Sequence, residues 1–310
     1  MDVSIIICTR DRGATLSGTL RSLAAIRSAL DWEIILLDNG SSDNTASVIA
    51  AADDCGGRLH YAFYGEPGLG GARDFAWRLA KGHICSFSDD DCYLDPGFVD
   101  AIAAAFADHP DAGCIGGRIL LFDPDDARLA FDEREQPSRY EPYSYFPGGA
   151  LQGANMSFRT SVLERIGGFD RELGAGTLFP CEDVDVITAS LWAGFAAWFD
   201  PRPSVHHHHG RRGDAADRAV AGYDRGRGVY HAKYVLRQDT RWHFMRKWLV
   251  QGRWNRFLTQ AALTREFAGS RAYFRHRGAT LLGLAMEPFY LLVRIVKMIW
   301  DFRALKKTVS

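Results

Sequence analysis

Two short runs, "DVSIIIC" (2–8) and "WEIILLD" (32–38), are mostly apolar and rich in β-branched residues, and "HICSFSD" (83–89) is a third apolar run. Runs of this kind, without polar alternation, read as strands buried on both faces, which requires a sheet covered by helices on both sides. Helical patterns separate them. "ATLSGTLRSLAAIRSAL" (14–30) spaces Leu16, Leu20, Leu23 and Leu30 for one helical face, and "ARDFAWRLAKG" continues a glycine-rich loop, "GEPGLGGARD", into a helix ending near Gly82. "NGSSDNT" (39–45) is turn chemistry leading into a helix, "LHYAFYG" (59–65) a candidate strand, and "LDPGFVDAIAAAF" a helix with Asp95 as its N-cap and Pro96 at its first position. Strand–helix alternation at these lengths predicts an α/β fold with right-handed crossovers and a mostly parallel, Rossmann-like sheet flanked by helices. With 310 residues, 47% of them hydrophobic, the chain can bury the core this needs, as one large domain or two smaller ones.

Ligands of such sheets bind beyond the carboxyl ends of the strands. Asp38 ends the second run, Asp89, Asp90 and Asp91 end the "HICSFSD" run, and Thr9 and Arg10 follow the first. Three adjacent carboxylates repel one another, so they either lie on a solvated loop or are held by a cation. A hard-oxygen site of this kind suits Mg²⁺ or Mn²⁺, which take one or two carboxylates and complete their shell with water and substrate phosphates. "CEDVDVITASLWAG" opens with Glu182, Asp183 and Asp185, either as ordinary first-turn acids favoured by the helix dipole or as a general base within reach of a substrate hydroxyl. Val184, Ile187, Leu191 and Phe195 form its buried stripe. Four adjacent histidines follow in "DPRPSVHHHHG" (200–210); imidazole beside a carboxylate-held ion would shift preference toward Mn²⁺. Residues 123–147 are polar and punctuated by proline, a long loop or insertion over the site.

A near-neutral total hides a polar division of charge. Residues 1–201 hold 15 Lys and Arg against 31 Asp and Glu, whereas residues 202–310 hold 22 against 7. The second part therefore faces something anionic. No nucleic-acid module accompanies the charge, so nucleic acid is not expected. "RQDTRWHFMRKWLVQGRWNRFL" (237–258) interleaves basic and aromatic residues, and "GATLLGLAMEPFYLLVRIVKMIW" (278–300) is strongly apolar. Glu287, Pro288, Arg294 and Lys297 interrupt the latter, so interfacial helices in peripheral contact with a membrane fit better than a membrane span. A helical subdomain packed on the first part is the alternative. Six cysteines without CxxC spacing, and no basic n-region and apolar h-region ahead of the first strand, predict reduced thiols in a cytoplasmic protein, at the inner face of the cell membrane if the tail touches lipid.

The segments "SIIICTRDRGATLSGTLRSL", "EIILLDNGSSDNT", "GGARDFAWRLAKGHICSFSDDD", "GGALQGANMSFRTSVLERIGGFDREL", "CEDVDVITASLWAGF" and "DPRPSVHHHHG" occur in this order over residues 2–210. Together they resemble the family 2 glycosyltransferases, whose fold is the GT-A type. The resemblance implies a catalytic domain over 1–210 and a helical, basic region over 211–310. It implies an inverting, metal-dependent transferase moving a sugar from a nucleotide-sugar donor, with a UDP-sugar expected, to a glycan or lipid-linked acceptor in cell-surface polysaccharide or glycolipid synthesis.

It also implies roles by position. Thr9, Arg10 and Asp38 would line the base and ribose pocket. Asp89 and Asp91 form the DxD-type pair, the first toward ribose or metal and the last toward the divalent ion, Mn²⁺ or Mg²⁺, with Asp90 between them. Arg73 belongs to the donor side, and Asp74 stands where the family usually has Asn, a departure whose effect on hydrogen bonding near the donor stays open. Asp183 is the base, and Glu182 and Asn155 are acceptor-side candidates. The family's Pro-to-His spacing, counted from Pro201, selects His207 as the metal ligand, with His206 and His209 as competitors in register.

Rival readings share the architecture. A nucleotidyltransferase normally carries a glycine-rich loop after the first strand, which "CTRDRGATL" is not. A non-catalytic sugar-nucleotide binder would lack the base. A dinucleotide enzyme is disfavoured because "GLGGAR" follows the third strand and fails GxGxxG.

Overall fold

In the computed structural model, residues 1–254 and 259–279 are described, with positions 288, 291, 292, 294, 295, 297 and 298. The elements run β1 (Val3–Thr9), α1 (Ser17–Ala24), β2 (Trp32–Asp38), α2 (Thr45–Ala50), β3 (Leu59–Phe63), α3 (Leu69–Trp77), β4 (Ile84–Asp89), β5 (Cys92–Leu94) and α4 (Phe98–Asp108). They continue with β6 (Ala112–Leu121), β7 (Ser138–Tyr140), β8 (Asn155–Arg159), α5 (Thr160–Ile166), α6 (Glu182–Trp192), β9 (Ala196–His207), α7 (Asp214–Leu236), α8 (Arg241–Trp254) and α9 (Gln260–His276). The apolar runs became β1, β2 and β4, and every residue of β2 is buried.

The strands form one sheet in the order β3-β2-β1-β4-β8-β6-β9-β5, with β7 on β9. β3, β2, β1 and β4 are mutually parallel, as crossover connections through α1, α2 and α3 require. β8 is inserted antiparallel between β4 and β6, and β6 and β9 are again parallel. The fold is α/β with a mostly parallel core. Ile5, Ile7, Ile34, Leu36, Ile102, Ile115 and Val205 pack in its main apolar cluster.

Two helices differ from their expected bounds. α1 covers Ser17–Ala24 and not 14–30, because Arg27 leaves the helical path to donate its amide to Pro96 O at 2.8 Å. α4 begins at Phe98, with Gly97 and not Asp95 before it. Asp95 is held elsewhere: its amide donates to Ser204 O and its carboxylate meets His206 at 3.2 Å. The polar stretch 123–147 is mostly loop, interrupted by β7 and by a bridge between Ile119 and Asp132.

The chain divides into two compact units, the first holding Met1–Leu178 and Glu182–Ala216, the second Phe179–Cys181 and the chain from Asp217 onward. Within the second, α7 and α9 cross at glycines. A Cβ on Gly228 would lie 1.7 Å from Glu266 O, and one on Gly269 would lie 2.1 Å from Arg225 O, so neither position admits a side chain at this spacing. Beside the crossing, His231 Nδ1 meets Glu266 Oε1 at 2.9 Å, and Arg265 pairs with Asp224. Tyr230, Tyr234 and Phe244 form its aromatic core. No helix among the described residues is long and apolar enough to cross a membrane. Most of the apolar stretch 278–300 lies outside the described residues.

Candidate functional site

Register brings the first candidates together. Thr9 lies opposite Asp38 across β1 and β2, and Cys8 opposite Asp89 across β1 and β4. The parallel strands end level, so residues from three separated segments line one edge. Asn39 pins the edge by donating its amide to Thr9 O at 2.8 Å and its side chain to Tyr64 O and Glu66 O. The buried Asp38 carboxylate accepts from the Ser41 amide at 2.8 Å and from Tyr61 Oη at 3.4 Å.

The acid triplet is divided among three partners. Asp89 accepts from Arg73 at 2.8 Å. Asp90 and Asp91 are buried and face one guanidinium, with Arg12 Nε 3.3 Å from Asp90 and an Arg12 terminal nitrogen 3.5 Å from Asp91. Arg10, the candidate from this loop, is half-exposed and its Nε lies 3.6 Å from Asp11. Sequence reading missed Arg12; its signal was a second arginine in "TRDR", two residues from the chosen one. Burial pushes the Asp90 carboxyl up to about 6, although Arg12 pulls against it. Burial also works against ionisation of Asp91, but His207 and Arg12 outweigh it and hold that carboxyl below its usual range.

Strand alternation resolves the histidine run. His207 is buried and points Nε2 at Asp91 Oδ1, 3.2 Å away, while its Nδ1 donates to Ala130 O at 3.0 Å. His206 is part-exposed on Asp95. His209 is turned into the 123–132 loop, donating from Nε2 to Ala127 O and accepting at Nδ1 from the Arg211 amide. Both of its nitrogens are therefore engaged. Tyr93 Oη lies 2.8 Å from Nδ1 of His208.

Asp91, Cys92 and His207 present one potential metal-ligand atom each, all within 4.8 Å of one another. The set fits a divalent ion. Asp91 Oδ1 is wholly buried without a well-formed hydrogen bond, and the Nδ1 donation to Ala130 leaves His207 Nε2 as the nitrogen available for ligation. Cys92 fits less well, because it belongs to the apolar core and burial raises its thiol well above 9.0. Oxygen and imidazole are the donors for Mn²⁺ or Mg²⁺. All six cysteines are free thiols.

Arg73 is almost wholly buried on α3 and divides its guanidinium among Asp89, Glu182 at 3.0 Å and Gly153 O at 3.1 Å. Asp183 is half-buried at the start of α6, its Oδ2 accepting from the Gly153 amide at 3.1 Å. Gly153 thus links Asp183 to Arg73 and, through it, to the triplet. Burial, then the charge of Asp183, pushes Glu182 up to about 7 against the pull of Arg73. Asn155 donates from Nδ2 to Arg118 O at 2.9 Å and Pro203 O at 3.1 Å.

Asp74, the departure from the family pattern, is a packing residue. Its buried carboxylate accepts from Trp77 Nε1, Arg78, Arg171 Nε and the Phe169 amide, and so ties α3 to the 167–171 turn. The glycine-rich start of α3 serves the same packing. A Cβ on Gly70 would lie 2.3 Å from Leu173 O, and the Gly70 amide donates to that carbonyl. The missing side chain admits a backbone there.

The family model described as "Glycosyl transferase family 2" matches residues 4–167. The chain belongs to glycosyl transferase family 2. Among its relatives, validoxylamine A glucosyltransferase of Streptomyces hygroscopicus is 33% identical over 125 residues, 39% of this chain and 29% of that protein. Succinoglycan biosynthesis protein ExoU of Rhizobium meliloti is 31% identical over 135 residues, 40% of this chain and 39% of that one. The aligned part is therefore well under half of each of these relatives. The structure is similar to that of S. aureus TarS 1-349 in complex with UDP-GlcNAc, with TM-score 0.66 and 15% identity, covering 97% of this chain and 92% of that one. It is also similar to mannosyltransferase PcManGT from Pyrobaculum calidifontis in complex with GDP-Man and Mn²⁺, with TM-score 0.60 and 20% identity, covering 96% and 87%. The family 2 chain has the GT-A fold of these neighbours.

Proposed function

We propose that this family 2 chain transfers a glycosyl group from a nucleotide-sugar donor to an acceptor hydroxyl in polysaccharide or glycolipid synthesis, with inversion at the anomeric carbon. The observation that carries the reading is the pairing of Asp91 with His207 Nε2 at 3.2 Å, connected through Asp89, Arg73 and Gly153 to Asp183. Thr9 and Asp38 support the base and ribose at the edge of β1 and β2. Asp91 and His207 would hold Mn²⁺ or Mg²⁺, with Asp89 and Asp90 beside them toward the donor. A divalent ion there supplies neutralisation of the charge that develops on a departing diphosphate.

The rest is done by the chain's own groups. Asp183 carries its carboxylate at the first turn of α6, oriented by the Gly153 amide, and takes the proton from the acceptor hydroxyl as that oxygen bonds to the anomeric carbon and the bond to the diphosphate breaks. One base suffices for one displacement, and one displacement inverts the centre. Arg73 acts as a brace that fixes Glu182 and Asp89, with its hydrogen bonds spent on protein oxygens. Glu182, buried against that brace, is a positioning group for its neighbour Asp183. The donors bound by TarS, UDP-GlcNAc, and by PcManGT, GDP-Man, support a nucleoside diphosphate sugar. A relative named for succinoglycan biosynthesis supports a polysaccharide acceptor.

The basic second part supports peripheral contact with an anionic membrane at its cytoplasmic face: 22 basic against 7 acidic residues, with Trp242 75% exposed on α8. Cosedimentation with phosphatidylglycerol vesicles but not phosphatidylcholine vesicles tests this contact, and equal recovery with both removes it.

For the chemistry, a panel of UDP-, GDP- and dTDP-sugars is screened for thermal stabilisation with Mn²⁺, since a ligand that binds only the native state raises its melting point. Hits are then assayed for transfer with and without EDTA. Stabilisation by at least one donor and transfer lost to EDTA are expected. Undiminished transfer in EDTA defeats the metal assignment, and indifference to every nucleotide sugar defeats the function.

A further inference from the structure

Arg12 is placed by its backbone, not by chance of rotamer. The turn after β1 is fastened to the segment after β2 by four hydrogen bonds from backbone amides. The Asp11 amide donates to Ser41 Oγ, the Ser42 amide to Asp11 Oδ1, the Arg12 amide to Thr45 Oγ1, and the Gly13 amide to Asp43 Oδ2, at 2.7–3.0 Å. Asp11 adopts the left-handed region at φ 52°, a conformation that Asp tolerates better than most residues. The Arg12 carbonyl accepts from the Thr15 and Leu16 amides, closing the turn on its other side. From this fixed base the guanidinium reaches both Asp90 and Asp91.

The two sides of this contact are unequally exposed. The carboxylates are about nine-tenths buried, whereas the Arg12 side chain is 40% exposed. Its guanidinium lies 3.5 Å from Asp91 Oδ2, the carboxylate assigned to the ion. An Mg²⁺ or Mn²⁺ ion on Asp91 Oδ1, the oxygen that faces His207, would leave the guanidinium on Oδ2 of the same group, with two cations sharing one carboxylate. The half-exposed partner is the one free to leave, since its other side already meets solvent.

We propose that Arg12 is the resident counter-ion of Asp90 and Asp91, that it competes with the divalent ion for them, and that once displaced it pairs with the donor diphosphate. The inference rests on the metal reading of Asp91 and His207. It couples the two ligands: the ion frees the arginine, and the arginine then adds a bidentate contact to the phosphates that the ion neutralises.

The test is an electron paramagnetic resonance titration of Mn²⁺ without nucleotide, on the wild-type chain, Arg12→Gln and Arg12→Lys. Removing the competing charge should tighten Mn²⁺ binding about tenfold in Arg12→Gln, and Arg12→Lys should stay near wild type. With Mn²⁺ saturating, UDP and GDP should bind Arg12→Gln about tenfold more weakly than wild type. Mn²⁺ bound equally or more weakly by Arg12→Gln overturns the role of Arg12 and leaves the metal site standing. Mn²⁺ bound by neither protein overturns both. If Arg12→Gln does not fold, the Arg12 Nε resonance of the wild-type chain, assigned with Arg12→Lys, is followed as Mg²⁺ is added. A shift supports displacement, and an unmoved resonance at saturating Mg²⁺ refutes it.

Discussion

Arg73 of α3 and Glu182 of α6 are 109 residues apart in the chain and meet at 3.0 Å, both buried. The same guanidinium holds Asp89 at 2.8 Å, so one cation ties the acid triplet of β4 to the helix that carries Asp183. A buried guanidinium between two carboxylates fixes geometry more than it adds stability, because desolvation offsets much of the Coulomb gain.

Removing that cation strands its partners. Arg73→Met leaves Glu182 buried beside Asp183 with no compensating charge, and should lower unfolding free energy at pH 7.5 by about 3–5 kcal/mol in urea titrations. A change below about 1 kcal/mol would show that the carboxylates find other partners.

Glu182 gives a pH signature with a definite sign. Its carboxyl is raised from 4.5 to about 7 in the folded chain, so the native state holds this proton more tightly than the unfolded chain does. The stability this contributes is complete below about pH 4.5 and lost as pH rises through about 7. Glu182→Gln removes that dependence while still accepting from Arg73. Relative to wild type it should gain about 1–3 kcal/mol between pH 5 and pH 8 in paired denaturation curves. Parallel curves would refute the raised pKa.

Asp183→Asn keeps an oxygen for the Gly153 amide and loses the base. Transfer should fall by about 10²–10⁴, with UDP or GDP affinity within a factor of about two. Full activity would remove Asp183 from the proposed chemistry.

His207→Gln should weaken Mn²⁺ binding by about tenfold or more in equilibrium titration, because Nε2 faces Asp91 directly. His206→Gln and His209→Gln should leave it unchanged, since His206 is turned to Asp95 and His209 to Ala127. An equal effect of all three would mean that the run acts as a diffuse charge.

Asp74→Asn sets one amide donor against Arg171, Arg78, Trp77 and the Phe169 amide, where the carboxylate accepts from all four. The melting point should fall, by about 1–3 kcal/mol of stability, with nucleotide affinity unchanged. A selective loss of nucleotide affinity would return Asp74 to the donor side.

The sequence by itself determined β1, β2 and β4, because an apolar run such as "WEIILLD" without polar alternation reads as buried on both faces. It also placed Asp38 and the acid triplet at strand ends, where α/β sheets bind ligands. Local pattern could not say where charges point. Arg10 and Arg12 are two residues apart, and only the hydrogen bonds between the two turns aim Arg12 at Asp90 and Asp91. His207 emerged from a run of four identical residues through its register on β5, and Asp74 is committed to the 167–171 turn, which supplies three of its hydrogen-bond donors or their anchors. Buried polar groups take the partners that long-range packing brings to them, and those partners lie tens of residues away in the chain.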